Sequence, residues 1–179
     1  IYTKNEEDLR QKAAKCIQKL INGVSDGIKV NRNLTVYTSI PEEDVGMNNY
    51  EAILSTLVNN HSVVLIDCDF NTNFGYLASI QELYLVQSMD VLTIQPLTAF
   101  LRELKTKNIL DPDKIRIVIN KEVKVRNLSA KTIIGGMSFY NDPAMSFMTE
   151  LFNREQVKYC TIPFEEMTYS KYLEGLVNC

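Results

Sequence analysis

Val63-Val64-Leu65-Ile66-Asp67 places four consecutive apolar residues before a single carboxylate. The run has no alternation, so a strand built from it needs cover on both faces, as in a parallel sheet flanked by helices. In open α/β sheets ligands bind at the carboxyl ends of the strands. Asp67 is therefore expected at an edge where a nucleotide or metal site forms.

Outward from this run the sequence alternates. Leu9, Ala13, Ile17, Leu20 and Ile21 make one stripe of a helix over residues 5–22, with Glu6, Glu7 and Asp8 in its first turn. Turn formers fill 22–33, a short β-rich run follows at 34–38, and Tyr50, Ile53, Leu54, Leu57 and Val58 mark a helix that Asn59 and Asn60 stop. After Asp67, the polar stretch from Cys68 to Gly75 reads as a site loop. A helix at 78–87 and a strand at 91–95 follow, and then a helix from Pro96 that carries Phe100, Leu101 and Leu104. A strand at 115–120, a helix at 141–152, a strand at 157–162 and a helix at 165–177 complete the order. Five strands alternating with helices predict an open α/β sheet with right-handed crossovers.

A chain of 179 residues with no repeat or linker suits one domain over 1–179. The net charge of −3 and a pI near 5.3 count against a chain whose main task is neutralising phosphate backbones, so nucleic acid is not the favoured partner. The basic residues Lys121, Lys124 and Arg126 read as a solvated loop. No apolar stretch approaches the roughly 18–20 residues that span a bilayer, and the start has no signal-peptide order. A cytoplasmic protein without stable membrane insertion is expected. Cys16, Cys68, Cys160 and Cys179 lie too far apart for a zinc motif and read as free, buried thiols. The chain opens on Ile1 rather than Met, which predicts a piece of a longer polypeptide.

Four apolar runs exit through polar or turn-forming residues: Asp67, Gln95-Pro96, Asn120-Lys121 and Ile162-Pro163. In a parallel sheet these exits share one edge. An Asp in that position also serves simply to cap a helix or turn the chain. His61 has no Ser, Cys or Glu motif near it in sequence and is assigned no role. The cluster Phe139, Tyr140, Phe147, Met148 and Phe152 reads as core.

The order of these pieces resembles a known family. Val63 to Asp67, then Ser88-Met89-Asp90-Val91-Leu92-Thr93-Ile94-Gln95-Pro96 continuing to Arg102, then Ile115 to Lys121, then Thr161-Ile162-Pro163 resemble the latter two thirds of the MinD/ParA (SIMIBI) group of P-loop ATPases. The resemblance spans residues 34–177 and is nearest to divergent members of the TadZ/CpaE kind. It implies a three-layer, mostly parallel sheet with helices on both faces, and ATP with Mg²⁺ as the ligand. In that family an aspartate like Asp67 holds the Mg²⁺ through water; in this chain Asp69 would support the same loop, so both are candidate catalytic carboxylates. Asn120, with Lys121 beside it, and Pro163 would lie against the base. A homodimer whose nucleotide state positions or recruits a protein assembly, in pilus, secretion, partition or mobile-element machinery, would be the output.

Two departures stand out. Cys68-Asp69-Phe70 replaces the family's small residue and proline, and Asp69 is open to three roles: an extra metal ligand, a holder of water, or an Asx turn. No Gly-rich lysine loop is present, since Gly135-Gly136 runs into Met137-Ser138 and Gly23 and Gly27 are poorly flanked. Either an upstream segment carries that loop, or the chain is a non-hydrolysing scaffold that binds protein partners. A flavodoxin-like or receiver-like domain is a third reading. The family's membrane-anchoring terminal helix has a weak counterpart here, because Glu165, Glu166 and Glu174 face only Lys171.

Overall fold

The computed structural model describes residues 11, 13–39, 49–89, 94–109, 111–139 and 158–173. The chain divides into two compact units, one of Ile1–Tyr76 with Ser170–Cys179 and one of Leu77–Tyr169.

In the first unit, helix α1 (Cys16–Ile21) leads through a turn into a hairpin of β1 (Ile28–Lys29) and β2 (Thr35–Val36), paired antiparallel. The hairpin tip is built on Asn31, whose Oδ1 accepts the N–H of Asn33 at 2.8 Å and of Leu34 at 2.9 Å. This Asx turn is the reason asparagine suits that position. Helix α2 (Tyr50–Asn60) buries Ile53, Thr56 and Leu57, which the 3.6-residue period places on one face. Leu20, Ile53 and Leu57 form the core, with Ile17, Ile21, Tyr37, Val64 and Tyr76 packed against them. Thr56 brings a hydroxyl into this apolar setting and satisfies it locally. Its Oγ1 lies 2.8 Å from the Leu20 carbonyl and 3.0 Å from the Ala52 carbonyl. The Leu20 carbonyl belongs to the last turn of α1, beyond the regular helical ladder, and also accepts the Gly23 N–H at 3.0 Å.

The expected buried strand at 63–67 is not formed. These residues belong to no strand, Val63 is 76% and Leu65 87% exposed, and Val64 and Ile66 are half-buried. Alternate burial marks a segment covered on one face only, with Val64 against the core. An unbroken apolar run favours cover on both faces but does not supply it, and no described strand pairs here to bring a second layer.

Helix α3 (Phe74–Ser79) starts in the first unit and ends in the second, which continues with β3 (Leu83–Ser88), α4 (Ile94–Thr106), a 3-10 turn at Pro112–Lys114, β4 (Ile115–Glu122), α5 (Ala130–Phe139), β5 (Tyr159–Pro163) and the first half of α6 (Glu166–Leu173). The three strands form one parallel sheet in the order β3-β4-β5. Register runs from Leu83 opposite Ile115 to Ser88 opposite Asn120, and Ile117 faces Tyr159 on the other side. Parallel neighbours need long crossovers, and α4 lies between β3 and β4 in the chain as α5 lies between β4 and β5. Leu85, Ile115, Ile117 and Ile119 of the sheet are buried, as are Leu97, Leu101 and Leu104 of α4 and Ile133 and Ile134 of α5.

The strand at Leu83–Ser88 occupies residues expected to be helical, and α4 begins at Ile94, inside the run expected as a strand. Leu83 and Gln87 are four apart, which mimics a helical stripe. The burial is instead that of a pleat, with Leu85 and Gln87 inside and Tyr84 and Val86 outside. Residues 91–93, the helix expected at 141–152 and most of the aromatic cluster lie outside the described residues. No helix among the described residues is long and apolar enough to cross a membrane. Cys16, Cys68 and Cys160 are free, as expected, but Cys68 and Cys160 are exposed rather than buried.

Candidate functional site

Asn120, Lys121 and Pro163 are brought together at the carboxyl edge of the second unit's sheet. Asn120 pairs with Ser88 at the end of β3, and Glu122 pairs with Pro163 at the end of β5. Between Ile119 and Glu122 the register shifts, and Lys121 adopts φ 56°. A bulge of this kind bends the strand and re-aims its side chains. A left-handed backbone costs a non-glycine residue about 1–2 kcal/mol, here offset by local bonding. Asn120 Oδ1 accepts the Lys121 N–H at 2.9 Å, and the Phe164 N–H donates to the Glu122 carbonyl at 2.8 Å.

The re-aimed Lys121 ammonium stands 4.8 Å from the centre of the Tyr169 ring. That ring meets Phe164 in a tilted pair, with centroids 5.4 Å apart and planes at 58°. Phe164 keeps 39% of its surface exposed. The edge thus gathers an amide, an ammonium and two rings, a set able to stack on a flat ligand and hold its negative charge. Phe164 and Tyr169 were not singled out from the sequence. Their signal was a pair of aromatics one and six residues beyond the proline that ends β5.

Asp67 and Asp69 belong to the first unit, in the loop before α3. Asp67 is exposed. Asp69 is engaged in its own turn: its carboxylate accepts the Asn71 N–H at 2.9 Å and the Thr72 hydroxyl at 3.1 Å, and its own N–H reaches Thr72 Oγ1 at 2.9 Å. Of the three roles open to Asp69, the turn is the one whose bonds are made. Partial desolvation pushes the Cys68 thiol up against a smaller opposing effect of the Thr72 side chain, and the Asp67 and Asp69 carboxylates add to the rise.

The Asn71 N–H, followed by the Thr72 hydroxyl, holds the Asp69 carboxyl below its ordinary 3.8. A depressed folded pKa means that the turn's contribution is complete above the ordinary carboxylate range. It is lost as pH falls through the lowered value. A carbon-detected NMR titration is expected to place the Asp69 midpoint below 3.8; a midpoint at or above that value would show that the turn is not formed in solution.

Among the described residues no three His, Cys, Asp or Glu side chains gather into a metal site. Mg²⁺ bound to a nucleotide takes most ligands from phosphate and water and needs only one or two carboxylates. Asp67 fits that requirement, and a metal held by protein ligands alone does not fit.

A third grouping in the first unit joins residues far apart in sequence. Ser25 Oγ, the Tyr37 hydroxyl and His61 Nε2 lie within 2.5–3.2 Å of one another. His61 was assigned no role because its partners sit 24 and 36 residues upstream.

No family model, curated protein or solved structure matches the chain. Its function is therefore argued from the sites themselves.

Proposed function

We propose that the chain is a MinD/ParA-like α/β protein that binds an adenine nucleotide at the carboxyl edge of β3, β4 and β5. The observation that carries this reading is the meeting of Asn120, Lys121 and Pro163 at one edge of a parallel sheet, where α/β folds bind ligands. In this reading the Phe164 and Tyr169 rings offer a stacking surface, Asn120 supplies an amide for the ring nitrogens, and Lys121 attracts the anionic end. The fuller three-layer sheet implied by the resemblance belongs to the same proposal.

ATP is the proposed ligand, with Mg²⁺ carried in by its phosphates. The 179 residues contain no Gly-rich lysine loop, so no hydrolytic step is assigned to them. Bound and free nucleotide states would differ in affinity for a second copy and for a protein assembly, which makes the output a switch in association rather than a product.

Titration calorimetry of the folded chain with Mg-ATP and Mg-ADP tests this. Saturable binding is expected, weakened at least about fivefold by Phe164→Ala, since base stacking on an aromatic ring contributes ~1–3 kcal/mol. No binding at millimolar ligand overturns the proposal. A non-hydrolysing scaffold then leads, a reading favoured by the exposed apolar residues Tyr84, Val86 and Ile162 on the strands.

A further inference from the structure

Ser25, Tyr37 and His61 come from three separate segments: the turn after α1, the residue following β2, and the end of α2. Ser25 Oγ lies 3.2 Å from His61 Nε2 and 2.5 Å from the Tyr37 hydroxyl, which is itself 2.8 Å from Nε2. A hydroxyl hydrogen-bonded to an imidazole is the pairing of nucleophile and base used in covalent catalysis. Three independent features hold the group in place. The His61 N–H donates to the Leu57 carbonyl at 2.9 Å, closing α2. The imidazole meets the Tyr37 ring edge-on, with centroids 5.6 Å apart and planes at 70°. Gly27 leaves the space in which that ring lies, since a Cβ there would sit 2.8 Å from Tyr37 Cε1 and 2.9 Å from Cζ. All three residues are half-buried, which keeps them ordered yet open to a small molecule.

The neighbouring carboxylate, Asp26, is taken by Lys19 at 2.6 Å. The Tyr37 phenol shares Nε2 with Ser25, and no carboxylate among the described residues meets the other ring nitrogen, where efficient hydrolases place one. That difference limits the class of substrate to acyl groups with good leaving groups and excludes amides.

We propose that Ser25 is a nucleophile activated by His61 and positioned by Tyr37, and that it accepts acyl groups from activated esters of small carboxylic acids. Ser25 Oγ forms a bond to the ester carbonyl carbon as its proton passes to Nε2. The carbon–oxygen bond to the leaving group breaks, and the departing oxygen takes the proton from Nε2. A water then attacks the acyl-serine with the same base, releasing the acid and restoring Ser25. Nothing is oxidised or reduced.

The test uses the full chain and p-nitrophenyl acetate, with nitrophenolate release followed by absorbance and the adduct located by mass spectrometry. One acetyl group is expected on the peptide carrying Ser25, absent from Ser25→Ala and formed at least about a hundredfold more slowly in His61→Gln, the low end of general-base catalysis. Tyr37→Phe keeps the ring and loses the hydroxyl. It is expected to lower the acetylation rate at saturating ester without raising KM, an effect that packing alone would not produce. Wild-type chain in denaturing urea should lose the Ser25 adduct, which keeps the test decisive if a variant fails to fold. Acetylation confined to lysines, or Ser25 labelling that persists in urea, overturns the proposal.

Discussion

Replacing Ile117 by alanine is expected to destabilise the second unit by roughly 2–5 kcal/mol, the usual cost of removing a large aliphatic side chain from a core. Ile117 sits in the middle of β4, with Leu85 opposite it on β3 and Tyr159 on β5, and is 0% exposed. It is flanked on the same face of the strand by buried Ile115 and Ile119, so the void has stiff β-branched neighbours that collapse poorly into it. Since a domain is stable by only about 5–15 kcal/mol, the loss is a large share of the total. Urea unfolding should show a lower midpoint with an unchanged slope. A shift worth less than about 1 kcal/mol would mean that this sheet face is loosely packed, contrary to the burial.

Gly27→Ala carries the second large effect, and it acts through space rather than through backbone freedom. The added Cβ would stand 2.6 Å from Thr35 Cγ2 as well as against the Tyr37 ring. Thr35 is β-branched and paired with Lys29 in the hairpin, so its methyl has little freedom to swing aside. Overpacking of this kind costs typically about 1–3 kcal/mol. Displacing the ring also moves the Tyr37 hydroxyl away from Ser25 and His61. The variant is thus expected to melt earlier and to lose Ser25 acetylation together. A melting temperature equal to wild type would show that Thr35 and Tyr37 make room without cost.

The parts of the fold that could be read from the sequence are those in which one local pattern had one solution. Ile115 to Asn120 is too short and too β-branched for a helix, and it is the central strand. The stripe from Tyr50 to Val58 gave a helix whose observed end is Asn60. Leu83 to Ser88 reads as helix because Leu83 and Gln87 are four apart, but the buried pair Leu85 and Gln87 is two apart and the strand pairs with β4. Val63 to Asp67 shows the converse: local pattern asks for cover, while tertiary pairing determines whether cover arrives. At the candidate sites, Asn120, Lys121 and Pro163 were legible as strand exits. The Lys121 bulge was not, since it depends on the register with β5. Ser25, Tyr37 and His61 could not be grouped from spacing at all, because the hairpin folding back onto the end of α2 is what joins them.

The Thr56 hydroxyl has a consequence for how the first unit breathes. By holding the Leu20 carbonyl it ties the fraying end of one helix to the middle of another, across 36 residues of chain. If α2 unwinds at Thr56, the Leu20 carbonyl loses this donor and keeps the Gly23 N–H at the end of α1. α1, at six residues, is too short to persist alone in water, and so borrows its lifetime from α2: the two open and close as a single cooperative element.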